Sequence, residues 1–155
     1  MKLSKRIVLP YSQDQLYALV SDVERYAEFV PRWMGAKIRR EGSNTYAEQI
    51  FGFGLLRYRF VSRITLSPPQ SVHVSSNDGP FHRLELQWDV QPHDNNGCSL
   101  LLTTDFQLRS GVLQRMFDGL GFQDAEWLLD AFEKRAHWLY RDRDRDTKDQ
   151  PSNDN

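Results

Sequence analysis

Apolar residues change their spacing along this chain, and each change marks a change of structure. Lys5 to Pro10, "KRIVLP", reads as a short strand that the proline ends. Leu16, Leu19, Val20 and Val23 then recur at helical spacing. Ser12 with Gln15 three residues on supplies a capping box, and Tyr11 can staple against Leu16. Ser21 and Glu24 repeat the capping pattern and predict a second short helix, ending before Pro31 because that ring disfavours helical backbone at Val30.

From Met34 to Arg109 the period becomes two, in segments separated by turn residues such as Glu41-Gly42-Ser43-Asn44, Pro68-Pro69-Gln70, Asn77-Asp78-Gly79-Pro80 and Asp94-Asn95-Asn96-Gly97. These predict a meander of about six short antiparallel strands with one buried face. That face would carry Tyr58, Phe60, Ser62, Ile64 and Leu66, then Leu84, Leu86, Trp88 and Val90, then Leu100, Leu102, Thr104, Phe106 and Leu108. After Ser110, a predicted N-cap, helical spacing returns and runs to about Tyr140. The stripe holds Leu113, Met116, Phe117, Leu120, Trp127, Leu128, Ala131, Arg135 and Leu139, and Gly119 and Gly121 predict a kink in it. From Arg141 the tail "RDRDRDTKDQPSNDN" has no apolar residue and is expected to be disordered, leaving 1–140 as one domain. A strongly curved antiparallel sheet with one long helix across its concave face accommodates every stripe at once and leaves room for an apolar cavity between them.

Composition narrows the function classes. The 155 residues are 39% hydrophobic and 26% charged, which is globular composition. The net charge of -1 conceals an asymmetry: Met1 to Arg63 holds 11 basic and 6 acidic side chains, Ile64 to Tyr140 holds 5 basic and 10 acidic. A lone Cys98 excludes an intramolecular disulfide and any multi-cysteine zinc site. With neither a signal-like apolar run nor eighteen consecutive apolar residues, a cytosolic protein is expected.

No nucleophile elbow, His-Glu-x-x-His, phosphate-loop lysine or calcium loop is present, and "GFGLLR" lacks the third glycine and the following helix of a dinucleotide site. His73, His82, His93 and His137 lack ligand spacing. Asp105 is expected to pair with Arg57, Arg59 or Arg63 across strands. What remains in excess is aromatic surface. Phe29, Trp33, Phe53, Tyr58, Phe60, Trp88, Phe106, Phe117 and Trp127 can all approach one volume, either as a plain aromatic core or as a cavity wall with the glycines and the short aromatic helix at its mouth.

The stretches "LPYSQDQLYALVSDVERYAEFVP", "FVSRI", "DGPFHRL" followed by Trp88, and "DAFEKRAHWLY" together resemble the coenzyme Q-binding proteins of the START, or Bet v 1-like, superfamily, over nearly the whole chain to Tyr140. The resemblance implies an α+β helix-grip fold: a curved antiparallel sheet of six or seven strands, two short helices and one long C-terminal helix enclosing a hydrophobic cavity. It implies a non-enzymatic carrier of ubiquinone or a related isoprenoid lipid that supports quinone delivery or respiration, with no covalent cofactor and no metal. The ligand-binding residues would be Phe29, Val30, Trp33, Phe53, Tyr58, Phe60, Trp88, Phe106, Met116, Phe117, Leu120 and Trp127, with Phe29, Val30 and Trp33 as the lip. Partners would be a hydrophobic small molecule and, transiently, a membrane surface or ribosome, but not DNA, in a protein that is cytoplasmic or peripheral to the inner membrane.

The superfamily also contains polyketide cyclases and aromatases, whose chemistry here would call on His82, Asp105 or Arg63. It includes a bacterial toxin that blocks association of ribosomal subunits, a role for which Lys37, Arg39, Arg40, Arg57, Arg59 and Arg63 are the candidate contacts. Three positions depart from the family's usual wording: Ala27 for proline, Arg32-Trp33 for Trp-Cys, and Leu86 for asparagine.

Overall fold

The computed structural model describes residues 2–93, 97–121 and 125–141. Strands β1 (Lys2–Leu9), β2 (Trp33–Glu41), β3 (Asn44–Phe53), β4 (Leu56–Ser67), β5 (Ser71–Ser76), β6 (Phe81–His93) and β7 (Gly97–Leu108) form one antiparallel sheet in the order β1-β7-β6-β5-β4-β3-β2. The first strand therefore pairs with the last, Ile7 opposite Leu100, and the six later strands form the meander that the alternation predicts. The crossing from one sheet edge to the other is made by α1 (Gln13–Ser21) and a 3₁₀ turn (Val23–Glu28). The sheet is then covered by α2 (Gly111–Gly119) and α3 (Glu126–Ala136), the latter continuing as a π turn through Arg141.

The α1 start follows its local sequence. Ser12 Oγ accepts from Gln15 N–H at 3.1 Å and the Gln15 side chain accepts from Ser12 N–H at 3.0 Å, closing the capping box. Tyr11 and Leu16 are buried in the same cluster. The second capping pattern is not used. Ser21 is the last residue of α1 and donates back to Ala18 C=O, while Glu24 accepts from Ile38 N–H at 2.9 Å and ties the 3₁₀ turn to β2. A six-residue 3₁₀ turn forms in place of an α-helix.

The single long helix is also corrected. Ser110 caps α2 as expected, its Oγ accepting from Leu113 N–H at 3.2 Å. The helix stops at Gly119, however, and Gly121 takes φ +80°, a left-handed conformation that ends rather than bends a helix. α2 and α3 are two elements with separate packing. The expected disordered tail, apart from Arg141, lies outside the described residues.

Two buried clusters result. Under α1 and α3, Trp88 and Phe132 are fully buried with ring centroids 4.4 Å apart, and Tyr26 and Phe29 meet the same Phe132 ring edge-on at 5.0 and 4.9 Å. Under α2, Phe51, Phe60, Phe81, Leu108 and Leu113 form the second. The alternation places most inward residues correctly, but Leu66 stays exposed although Val72, opposite it on β5, is fully buried.

Asp105 pairs with Arg83 at 3.0 Å, not with an arginine of β4, because β7 adjoins β6 and its register sets Asp105 opposite Glu85 in that strand. Gly79 sits at φ +60° with Arg59 C=O so close that a Cβ would lie 2.4 Å from that oxygen, so only glycine fits the turn entering β6.

Urea unfolding should show Phe132→Ala to lose ~3–5 kcal/mol, the range for emptying a fully packed aromatic site. Gly79→Ala should lose about 1–3 kcal/mol through backbone strain and clash, with little change in the denaturant slope.

Candidate functional site

A cavity of about 100 Å³ lies between the sheet and the helices at the α2 end. Its floor is the concave sheet face: Trp33 of β2, Gln49 and Phe51 of β3, Phe60 of β4, Val74 of β5, Phe81, Leu84 and Leu86 of β6, and Thr104 and Phe106 of β7. Val23, Tyr26 and Val30 of the 3₁₀ turn and its exit close one side. Phe117 of α2 and Ala125, Trp127 and Leu128 at the start of α3 close the top. Pro31 and Arg32 reach the lining from exposed positions, so the mouth opens between this turn and α2.

The lip is shaped by Val30-Pro31-Arg32-Trp33. Trp33 N–H donates to Val30 C=O at 3.2 Å, with proline second and a left-handed residue, Arg32 at φ +69°, third. Glycine is the usual third residue, and an arginine there costs about 1–2 kcal/mol. The turn aims Trp33 into the cavity, and Arg32 C=O accepts from Gly52 N–H at 2.9 Å, joining the lip to β3.

One polar thread crosses this carbon-lined volume. Trp33 Nε1–H donates to Gln49 Oε1 at 2.9 Å, Gln49 Nε2 donates to Ser62 Oγ at 2.7 Å, and Ser62 Oγ donates to Ala47 C=O at 3.4 Å. An indole can only donate, so it fixes which way the Gln49 amide points. Gln49 and Ser62 are 2% and 1% exposed. The second Gln49 amide hydrogen has no protein acceptor among the described residues. Thr104 and Tyr26 are further uncharged polar side chains among the described lining residues. Burial pushes the Tyr26 hydroxyl far above its ordinary pKa, and its O–H donates to Val20 C=O.

Among the described lining residues there is no carboxylate, imidazole, thiol or amine, and Arg32 at the mouth carries the one formal charge. Among the described residues, no group of side chains is arranged to hold a metal ion, and no helix is long and apolar enough to cross a membrane.

Of the residues the sequence proposes for binding, the fold brings Val30, Trp33, Phe60, Phe106, Phe117 and Trp127 around the cavity. Five lie elsewhere. Phe29 turns onto Phe132 and lies under the Arg135 guanidinium at 5.1 Å, a position secured by the 2.6 Å Arg135–Glu28 ion pair. Trp88 is too far along β6 and is sealed beneath α3 by Phe132. Tyr58 lies behind Phe51, stacked on it at 5.3 Å. Met116 and Leu120 occupy the outer part of the α2 apolar arc and are exposed. The Phe53 side chain is outside the described set.

Gln49, Phe51, Val74 and Phe81 are floor residues that sequence reasoning missed, and Leu84, Leu86 and Thr104 are assigned by it to the buried face but not to the binding site. In "NTYAEQIFGF" the buried face carries Ala47, Gln49 and Phe51 while Ile50 faces away, so hydropathy alone misassigns it. The hairpin register, Phe51 opposite Tyr58 and Gln49 opposite Phe60, is the signal that places them.

His82, Asp105 and Arg63 stand outside the cavity lining; Asp105 is paired with Arg83, and Arg63 donates to Asn44 Oδ1 at 2.9 Å. Of the basic residues named as candidate ribosome contacts, Arg39 and Arg59 both engage Glu48, and Arg40 has the opposite strand parity to Lys37 and Arg39.

Comparison with known proteins agrees with the architecture. The family described as polyketide cyclase / dehydrase and lipid transport matches residues 9–133. A ribosome association toxin of Pseudomonas aeruginosa is 30% identical over 139 residues, covering 89% of this chain and 96% of its own. A mitochondrial coenzyme Q-binding protein of Drosophila melanogaster is 32% identical over 112 residues, 69% of this chain and 46% of its own. A START superfamily protein of Mycobacterium smegmatis superposes with a TM-score of 0.74 at 20% identity, covering 89% of this chain and 98% of its own, a likeness of fold. This chain, with its helix-grip sheet closed over an apolar cavity, belongs to the family described as polyketide cyclase / dehydrase and lipid transport.

Proposed function

We propose that this protein binds the ring of a neutral isoprenoid lipid, a quinone of the ubiquinone type, and carries it without chemical change. The observation behind this reading is a carbon-lined cavity whose buried Gln49 amide is held by Trp33 and Ser62 with one hydrogen to spare. A quinone carbonyl is an uncharged acceptor for that hydrogen, and the aromatic walls suit a flat ring. Charged head groups fit poorly, because desolvating them here is compensated by no buried counter-charge. Acid–base turnover of a polyketide has no support from the lining, since its candidate groups lie on the other side of the sheet. The coenzyme Q-binding relative carries the same ligand in its name.

Size refines the reading. An engineered apolar cavity of about 150 Å³ is filled by benzene, so a cavity of about 100 Å³ takes only part of a quinone ring as it stands, and α2 would have to move outward to admit the whole ring. The rest of a polyprenyl tail would leave through the mouth beside Arg32.

A second reading, ribosome association, is favoured by the Pseudomonas relative and by the basic outer positions Lys37 and Arg57, which enter no salt bridge among the described residues.

Titrating delipidated protein with a short-chain ubiquinone, followed by tryptophan fluorescence, should give saturable binding. Gln49→Leu should weaken it about 5- to 15-fold, the value of one buried hydrogen bond, and should leave binding of a ring hydrocarbon of the same size unchanged. Leu86→Trp, which fills the cavity, should abolish both. No saturable binding by wild type, or equal loss of both ligands in Gln49→Leu, would reject the quinone reading. For the ribosomal reading, cosedimentation with subunits should fall steeply between 50 and 200 mM salt, and salt-independent pelleting would discard it.

A further inference from the structure

The rim of the cavity carries apolar side chains that the fold leaves uncovered. At the β3–β4 hairpin, Gly54 at φ +60° makes the tight turn and sends Leu55 into solvent at 100% exposure, with Leu56 beside it at 52%. Met34 of β2 is 47% exposed and lies across Gly52, where the Arg57 guanidinium also arrives.

The second projection is α2. Leu113 and Phe117 face the sheet, whereas Val112, Met116 and Leu120 continue the same apolar arc outward and stay exposed, up to 66% at Val112. The two projections are neighbours. Phe117 packs on Phe51 at 5.9 Å, and Phe51 pairs with Tyr58 two residues from Leu56. The Arg32 turn stands beside both, bonded through its carbonyl to Gly52.

Charge selects what covers this rim. From Ile50 to Phe60, "IFGFGLLRYRF", there is no acidic residue, and Arg57 directly follows the exposed leucines in sequence, its guanidinium beside Gly52. Arg115 is exposed on α2, and neither Arg57 nor Arg115 forms an ion pair among the described residues. Protruding leucines backed by arginines match the interface of an anionic bilayer: the side chains enter the acyl boundary while the guanidinium groups meet phosphate. A second copy of this chain would bring the same arginines together, and a dimer through this rim would have to neutralise them.

We propose that the Leu55–Leu56 hairpin tip and the outer face of α2 dock the protein on an anionic lipid bilayer, with the cavity mouth against the membrane. The surface stands apart from the ligand question, because it is built from side chains outside the cavity lining. Where the cavity does take a lipid, this geometry lets the lipid pass between bilayer and protein without crossing water.

The test uses the full chain, delipidated, with sucrose-loaded vesicles of phosphatidylcholine alone or mixed with phosphatidylglycerol. The protein should pellet with the mixed vesicles, and raising the salt or omitting the anionic lipid should weaken partition about tenfold or more. Leu55→Asp with Leu56→Asp should lose about tenfold or more again, while Val8→Asp, at a comparably exposed residue on edge strand β1, should not.

A polarity-sensitive dye on Leu55→Cys should brighten and shift to the blue with mixed vesicles, and the same dye on Val8→Cys should not; Cys98 is buried and should remain unlabelled. Short-chain quinone binding in solution should be unaffected by the hairpin variants, so failure of docking and failure of ligand binding are separately visible. Absence of vesicle binding would overturn the proposal. So would equal partition of the hairpin variants, or a concentration-dependent dimer or ribosome complex that the hairpin substitutions abolish while vesicle binding is absent.

Discussion

Phe132 against Trp88 is the contact on which the rest of the molecule depends. Both rings are fully buried, they lie 4.4 Å apart, and they join the middle of α3 to the middle of β6. Tyr26 and Phe29 lean on the same phenyl ring, so the 3₁₀ turn is positioned by α3 as much as by its own backbone. Arg135 adds a charged clamp to that corner by pairing with Glu28 and lying over Phe29 and Trp138. Large rings packed edge-on leave little freedom to slide, so the α3 end of the sheet is shut.

The open end follows from that closure. A curved sheet gripped at one end diverges from its cover at the other, and the chain breaks its last helix there, at Gly119 to Gly121. α2 consequently packs on a separate cluster around Phe51, Phe60 and Phe81, and the cavity occupies the region between the two clusters. Trp33 serves both: it belongs to the apolar surroundings of each cluster, and its indole N–H anchors the Gln49 amide in the wall. A left-handed Arg32 sets that indole, so conformational strain at the lip supports polar geometry inside the cavity.

The Gln49 thread also explains why a cavity this apolar keeps buried polar groups. Each member of Trp33–Gln49–Ser62–Ala47 is hydrogen-bonded, so the desolvation cost is largely offset, and the thread ties β2, β3 and β4 together behind the ligand space. Outside, the charges of the sheet are mostly spent on each other, as in Arg59–Glu48 and Arg83–Asp105. The rim around Leu55 is the exception, with apolar tips and basic stems and no acid in the hairpin.

Local spacing by itself determined the first strand, the Ser12 and Ser110 helix starts, the meander of about six strands between them and which face of β4, β6 and β7 is buried, because period and capping are written within a few residues of each other. It could not say how far along a buried face the cover extends. Trp88 and Leu86 are two residues apart on one face, yet one is sealed by Phe132 and the other lines the cavity. The same limit separates Phe117 from Met116 on α2, and Phe29 from Val30 at the lip. Gln49 and Phe51 became visible only through the pairing register of β3 with β4, a relation between strands. The family resemblance reached the sheet and its cavity, while membership of the cavity wall was decided by tertiary packing, because the boundary between a filled and an unfilled part of one core depends on contacts distant in sequence.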